Sequence, residues 1–137
     1  MVHFKYGVDF FSLLAEFETN SSIRTVEWKN NKVVMIDQTK LPNQLVFVEY
    51  DDYKQVADAI RNLVVRGAPA IGVSGAFGLA LAALQSNAET KEDLITDLKK
   101  AKQILFETRP TAVNLTWGLE QITVSYTHLT LPTILLV

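Results

Sequence analysis

Cysteine is absent from all 137 residues of the chain, and histidine occurs only twice. The lack of cysteine excludes disulfide bonds, thiolate metal sites and a cysteine nucleophile within these residues, and it is compatible with a reducing cytoplasm. The two histidines, His3 and His128, form neither a metal-ligand pattern nor a catalytic triad. The sequence therefore offers no metal site and no nucleophile–base pair.

A strong charge of either sign is also missing. The formal net charge is −2, from 13 basic and 15 acidic residues, and no basic block provides the footprint of a nucleic-acid partner. The first 18 residues contain Asp9, Glu16 and Glu18, so they lack the uninterrupted apolar stretch of a secretory signal. With 48% hydrophobic and 20% charged residues, the composition is that of an ordinary globular domain with a buried core.

The first half of the chain has the pattern of a small antiparallel sheet. Two runs rich in β-branched and aromatic residues, 23–28 and 33–37, flank Asn30 and Asn31. Asparagine tolerates the positive φ angles that a two-residue hairpin turn requires, so these runs predict a hairpin. Residues 45–50 predict a third strand, which completes a β-meander.

After Tyr50 the apolar period becomes helical, and four helices are expected. Asp51 or Asp52 caps the first, Pro69 begins the second, which ends near Leu84 or Gln85, and Thr90 caps the third. Thr111 caps the fourth, after Pro110. The predicted core faces, in chain order, are Val56, Ala59, Ile60, Leu63 and Val64; then Leu94, Leu98, Ala101 and Leu105; then Val113, Leu115 or Trp117, Leu119 and Ile122. The predicted fold is α+β, a β-meander followed by a bundle of about four helices.

The two ends of the chain differ from this pattern. Phe10, Leu13, Leu14 and Phe17 have helical spacing and predict a short docking helix within an N-terminal extension, residues 1–22. Residues 125–137 alternate weakly and end in an apolar run, so we expect the fourth helix to stop before them. This tail has the look of translated adapter or frame-shifted sequence joined to a truncated gene, and the alternative is a genuine C-terminal strand.

No residue between Gly67 and Leu84 is charged, and the length of this uncharged run is near the lower limit for a membrane span. The glycines and alanines of this run make it only weakly hydrophobic, and the neighbouring helices are amphipathic. Gly72, Ala76 and Ala80 lie one helical turn apart, which lets another backbone approach closely. We therefore expect a buried central helix and no membrane span.

Arg66 and Gly67 stand at the junction between the first two helices. The N–H groups and dipole of a helix N-terminus favour anions, and an arginine adds a clamp suited to phosphate or carboxylate. Arg109 repeats this arrangement before the fourth helix, so the two arginines can converge on one dianion. An arginine that caps the preceding helix is equally typical at both positions, and both interpretations remain open.

Four segments together resemble the methylthioribose-1-phosphate isomerase family, over about residues 24–122. They are "RTVEW" (24–28), "VVMIDQTKLP" (33–42), "AIRNLVVRGAPAIGVSGAFGLALA" (59–82) and "TRPTAVNLTWGLE" (108–120). The resemblance implies a cytoplasmic, usually homodimeric enzyme of methionine salvage, without metal or organic cofactor, that isomerises methylthioribose 1-phosphate. It further implies that residues 23–124 form the N-terminal domain, and that Arg66, Gly67, Ala68 and Arg109 bind the sugar phosphate.

The sequence departs from this family in one respect. The resemblance places a catalytic cysteine and aspartate in a C-terminal Rossmann-like domain, which this chain does not contain. Asp37, Asp51 and Asp52 lie at strand ends or caps, so we assign no catalytic residue here and expect the chain to be inactive alone. Two relatives of the family remain alternatives: a regulatory initiation-factor-2B-type subunit, which binds without catalysis, and ribose-1,5-bisphosphate isomerase.

Overall fold

The computed structural model describes the backbone of residues 25–136 and the side chains of residues 25–125. The helix predicted around Phe10 to Phe17 lies outside the described residues. Three strands and then four helices follow in chain order: β1 Val26–Lys29, β2 Lys32–Ile36, β3 Phe47–Tyr50, α1 Tyr53–Arg61, α2 Ala68–Gln85, α3 Lys91–Thr108 and α4 Val113–Leu136. The predicted α+β order of a β-meander followed by four helices is confirmed.

The sheet is antiparallel with strand order β1-β2-β3. Asn30 and Asn31 form the predicted turn, with φ angles of 54° and 60°, and Trp28 pairs with Val33 across it. Alternation along β2 directs Val33 and Met35 into the core, where both are buried. The sheet thereby covers one side of the helical bundle.

Helix α1 begins as predicted at an aspartate cap, and Asp52 is the residue used. Its side chain accepts from the Lys54 N–H at 2.9 Å, and the Gln55 side chain accepts from the Asp52 N–H at 3.3 Å, which completes a capping box. Val56, Ala59 and Ile60 are buried, in agreement with the predicted core face.

The assignment of Leu63 to that core face is wrong. The helix ends at Arg61, and Leu63 has a φ angle of 62° and is 43% exposed. Val64 lies three residues past the end of the helix and is only half-buried. The apolar period continues past the end of the helix in sequence, but the left-handed backbone at Leu63 turns the chain out of the helical path.

Helix α2 is the centre of the bundle, and it contacts the other three helices as well as β1 and β2. It is the one helix among the described residues that is long and apolar enough to cross a membrane, yet 67% of it is buried by the rest of the fold. The predicted buried central helix is therefore confirmed.

Helices α2 and α4 approach so closely that the glycines at their crossing have no room for side chains. A Cβ atom at Gly72 would lie 2.8 Å from the Asn114 carbonyl oxygen, and one at Gly75 would lie 2.5 Å from Leu115 Cδ1. A Cβ atom at Gly118 would collide with the Gly72 carbonyl oxygen. The predicted close approach at Gly72 is real, and α4 is the helix that uses it.

The remaining core faces follow the predicted spacing with one further correction. Thr90 caps α3, and Leu94, Leu98, Ala101 and Leu105 are all buried. On α4, Leu115, Leu119 and Ile122 are buried, whereas Val113 is 79% exposed and Trp117 is 55% exposed. Val113 lies two residues before Leu115 and therefore about 200° around the helix from the core, so its predicted burial is wrong.

Helix α4 does not stop before residue 125 but continues to Leu136, which also excludes the alternative of a C-terminal strand. No glycine or proline interrupts the sequence between Gly118 and Pro132. The Thr123 and Ser125 hydroxyls donate to the carbonyls of Leu119 and Gln121, each at 2.8 Å, so these side chains bond within the helix.

We expect alanine at Gly72 or Gly118 to destabilise the chain by on the order of 1–3 kcal/mol, because overpacking at the α2–α4 crossing outweighs the better helix propensity of alanine. Urea unfolding followed by circular dichroism measures the change. Gly78→Ala is the matched control in the same helix, since its nearest neighbours are the ends of the Leu105 and Val56 side chains at 3.1–3.2 Å, which can shift. Equal stability changes at Gly72 and Gly78 would contradict the crossing.

We expect Thr90→Ala to destabilise the chain by about 1 kcal/mol, because the Asp93 N–H loses the Thr90 hydroxyl that accepts it at 3.1 Å. Thermal unfolding measures the loss. Thr96→Ala is the control, because Thr96 is exposed inside the same helix and alanine is the better helix former there. A Thr90 variant no less stable than the Thr96 variant would show that the cap contributes nothing.

Candidate functional site

The α1–α2 junction turns sharply after α1. The Leu63 N–H donates to the Ile60 carbonyl at 3.4 Å, and the Val64 N–H donates to the Ala59 carbonyl at 2.9 Å, which is the bonding pattern of a Schellman motif. Leucine stands where this motif favours glycine, and the left-handed conformation costs a leucine about 1–2 kcal/mol. Val65 is buried and anchors the turn, so Arg66 and Gly67 follow at the surface.

Gly67 precedes α2 with a φ angle of 91° and a ψ angle of 136°, a conformation open to glycine and strained for other residues. No atom lies within 4 Å of the position of a Cβ atom there, so the backbone faces open space. The Ile71 N–H donates to the Gly67 carbonyl at 2.9 Å and is therefore not free for a ligand. The N–H groups of Ala68 and Ala70 stand in the first turn, where they have no intrahelical acceptor.

The α3–α4 junction is shorter. Arg109 is the C-cap residue of α3, and its carbonyl accepts from the Ala112 N–H at 3.0 Å. Helix α4 begins at Val113, and the Thr116 N–H donates to the Ala112 carbonyl at 3.2 Å, so Ala112 stands at the N-cap position. The prediction that Thr111 caps this helix is wrong, because the turn after Pro110 is one residue longer than expected.

These two junctions form the walls of one open cleft of ≈ 510 Å³. All four residues predicted to bind a sugar phosphate line it: Arg66, Gly67, Ala68 and Arg109. The α2–α4 crossing explains the convergence, because Gly72 and Asn114 are in contact near the start of each helix. Two helix N-termini and two arginines therefore meet at the same place.

The cleft is electropositive. Arg61 forms an ion pair with Asp58 and Lys102 forms one with Glu120, and both pairs lie away from the cleft. Within the same residues neither Arg66 nor Arg109 donates a side-chain hydrogen bond to the preceding helix or to a carboxylate. Two charged guanidinium groups and two helix dipoles thus face a cleft without an acidic lining residue, an arrangement that attracts anions.

Five lining residues were missed as site residues by the sequence analysis: Leu63, Ile71, Ala112, Val113 and Asn114. Leu63 and Val113 were assigned to the core on helical spacing, and Ile71, Ala112 and Asn114 carry no chemical signal of their own. Their proximity to the two arginines in sequence is the signal that would have found them.

Acid–base groups lie elsewhere. Asp37 accepts from the Thr39 N–H at 2.9 Å and the Thr39 hydroxyl at 2.5 Å, and Asp52 caps α1, so these carboxylates serve local structure as predicted. No group of three or more histidine, aspartate and glutamate side chains is placed to hold a metal ion in the part of the chain that the structure describes.

Comparison with known proteins places the chain among relatives. The model of the Initiation factor 2 subunit family matches residues 64–132. The methylthioribose-1-phosphate isomerase of Geobacter metallireducens is 53% identical over 100 residues, which are 73% of this chain and 29% of that protein. The chain therefore spans less than a third of the length of this relative.

Two solved structures have the same fold. The crystal structure of 5-methylthioribose 1-phosphate isomerase from Pyrococcus horikoshii superposes with a TM-score of 0.73 at 46% identity, over 82% of this chain and 32% of that one. The translation initiation factor eIF-2B, subunit delta, from A. fulgidus superposes with a TM-score of 0.67 at 37% identity, over 82% of this chain and 36% of that one. The family match spans both arginine junctions and the helices between them, and the chain belongs to the Initiation factor 2 subunit family.

Proposed function

We propose that this chain is the N-terminal, phosphate-binding part of an aldose–ketose isomerase that converts methylthioribose 1-phosphate to methylthioribulose 1-phosphate in methionine salvage. The observation that carries the proposal is the cleft in which Arg66 and Arg109 converge without a protein partner among the described residues. The isomerases of Geobacter metallireducens and Pyrococcus horikoshii, at 53% and 46% identity, support the choice of substrate. The proposal includes a cytoplasmic location and a homodimer for the longer enzyme.

Each part of the cleft has a role in holding the phosphate. A guanidinium group donates two parallel hydrogen bonds to phosphate oxygens and keeps its charge at any physiological pH. The Ala68 N–H adds a donor at the positive end of α2. Because nothing lies within 4 Å of a Cβ position at Gly67, a phosphate oxygen can approach the backbone there.

The same cleft lacks the groups for isomerisation. Moving a hydrogen between adjacent carbons needs an acid or base close to them, and no titratable acid or base other than the arginines lines the cleft. The family resemblance assigns the catalytic cysteine and aspartate to a further domain. This chain therefore binds substrate and does not turn it over by itself.

Two alternatives share the architecture. A regulatory translation-factor subunit is supported by the eIF-2B delta structure, but identity to that chain is 37% against 46% for the isomerase structure. Ribose-1,5-bisphosphate isomerase is the second alternative. A cysteine and an aspartate at the catalytic positions of the downstream gene sequence would support an enzyme, and their loss would support the regulatory subunit.

We expect Arg66→Ala and Arg109→Ala each to weaken binding of methylthioribose 1-phosphate to the 137-residue chain by about 10- to 100-fold, since a hydrogen bond to a charged group contributes roughly 1.5–3 kcal/mol. Isothermal titration calorimetry or ligand-observed NMR measures the affinity. Arg66→Lys should lose part of the affinity, because the charge stays and the two-pronged hydrogen bonding is lost.

Arg61→Ala is the matched control, because Arg61 is an exposed arginine that pairs with Asp58 outside the cleft. It should bind like the unsubstituted chain. Equal affinity in the Arg61 and Arg66 variants would rule out the phosphate-binding role.

We expect the purified 137-residue chain to convert no methylthioribose 1-phosphate, since it lacks an acid–base pair at the cleft. A coupled assay for methylthioribulose 1-phosphate checks this. Turnover at a rate typical of enzymes, on the order of 1 per second or faster, would contradict the assignment of catalysis to a further domain.

A further inference from the structure

Leu63 holds a backbone conformation that leucine does not favour. Its φ angle of 62° places it at the position of the Schellman motif where glycine is the usual residue and asparagine the next most tolerated. Neither of the two hydrogen bonds of the motif uses the leucine side chain, because both join backbone groups. The turn itself thus gives no reason for a leucine.

Packing does not explain the leucine either. Its side chain is 43% exposed although it is a large apolar group, and its exposed part lines the cleft. On the other junction Val113 also lines the cleft and is 79% exposed. We name Leu63, Ala112 and Val113 the apolar wall of the cleft.

We infer that the apolar wall binds the apolar substituent of the sugar phosphate, the methylthio group, while the arginines bind the phosphate. This inference rests on the proposed function and deepens it. It makes Leu63 a specificity residue, which distinguishes methylthioribose 1-phosphate from sugar phosphates with a hydroxyl group or a second phosphate in place of the methylthio group.

The physical argument concerns desolvation. A methylthio group gains free energy when it leaves water for an aliphatic surface. A hydroxyl group or a phosphate loses water against the same surface without a hydrogen-bond partner in return. Among the residues that line the cleft, no third cationic side chain is present to compensate a second phosphate.

Leu63→Asn tests the role of the leucine side chain separately from that of the backbone turn. Asparagine tolerates the left-handed conformation better than leucine and has a similar size, so the variant should unfold at the same temperature as the original chain or higher. Leu63→Met keeps an apolar side chain. Leu45→Asn is the matched control, because Leu45 is 64% exposed and lies outside the cleft.

The experiment compares methylthioribose 1-phosphate, ribose 1-phosphate and ribose 1,5-bisphosphate by saturation-transfer difference NMR on the 137-residue chain. We expect the original chain to prefer methylthioribose 1-phosphate over ribose 1-phosphate by at least ~4-fold, the value of one buried methylene group. Saturation should reach the S-methyl protons of the ligand. In Leu63→Asn the preference should fall to about one and the S-methyl signal should decline, whereas Leu63→Met and Leu45→Asn retain both.

Three results would overturn this inference and leave the proposed function standing. The original chain could bind the two monophosphates with equal affinity, or Leu63→Asn could keep the original preference. Leu63→Asn could also unfold at a lower temperature, which would make Leu63 a structural residue. Tighter binding of the bisphosphate would also overturn it, because each arginine would then serve one phosphate. Failure of the proposed function looks different, since then none of the three ligands binds or Arg66→Ala leaves their binding intact.

Discussion

The backbones of α2 and α4 touch at Gly72 and Gly118, and the convergence of the two arginine junctions on one cleft depends on that contact. A side chain on either glycine would separate the helices, because the Gly72 carbonyl occupies the space of a Cβ atom at Gly118. The contact lies near the N-terminal ends of both helices, so the two junctions are held side by side. The run of small residues in α2 thus serves the core and the cleft through one packing constraint.

The positive charge of the cleft depends on the absence of carboxylate partners for its two arginines within residues 25–125. Arg61 and Lys102 are paired with carboxylates, yet Arg66 and Arg109 have no such partner within residues 25–125. Repulsion between two cations at two helix N-termini is tolerated because Arg66 is exposed and water screens it. A phosphate that enters the cleft replaces that water and relieves the repulsion.

The sequence allowed local features to be predicted and tertiary ones only in part. The turn at Asn30 and the cap at Thr90 depend on a few neighbouring residues, so residue type alone identifies them. The assignments of Leu63 and Val113 were wrong because an apolar period does not show where a helix begins and ends. Both arginines were recognised as candidates, but their meeting in one cleft depends on the α2–α4 crossing, which no local pattern specifies.

The α3–α4 junction is short, and Arg109 closes one helix while Ala112 opens the next. Fraying confined to Ala112 and Val113 would therefore displace the turn after Arg109 and leave the core around Leu115, Leu119 and Ile122 in place. A ligand held by both junctions opposes that local opening in proportion to its binding free energy. A ligand bound at both junctions would thus stabilise the start of α4, and the order of that segment would report whether the cleft is occupied.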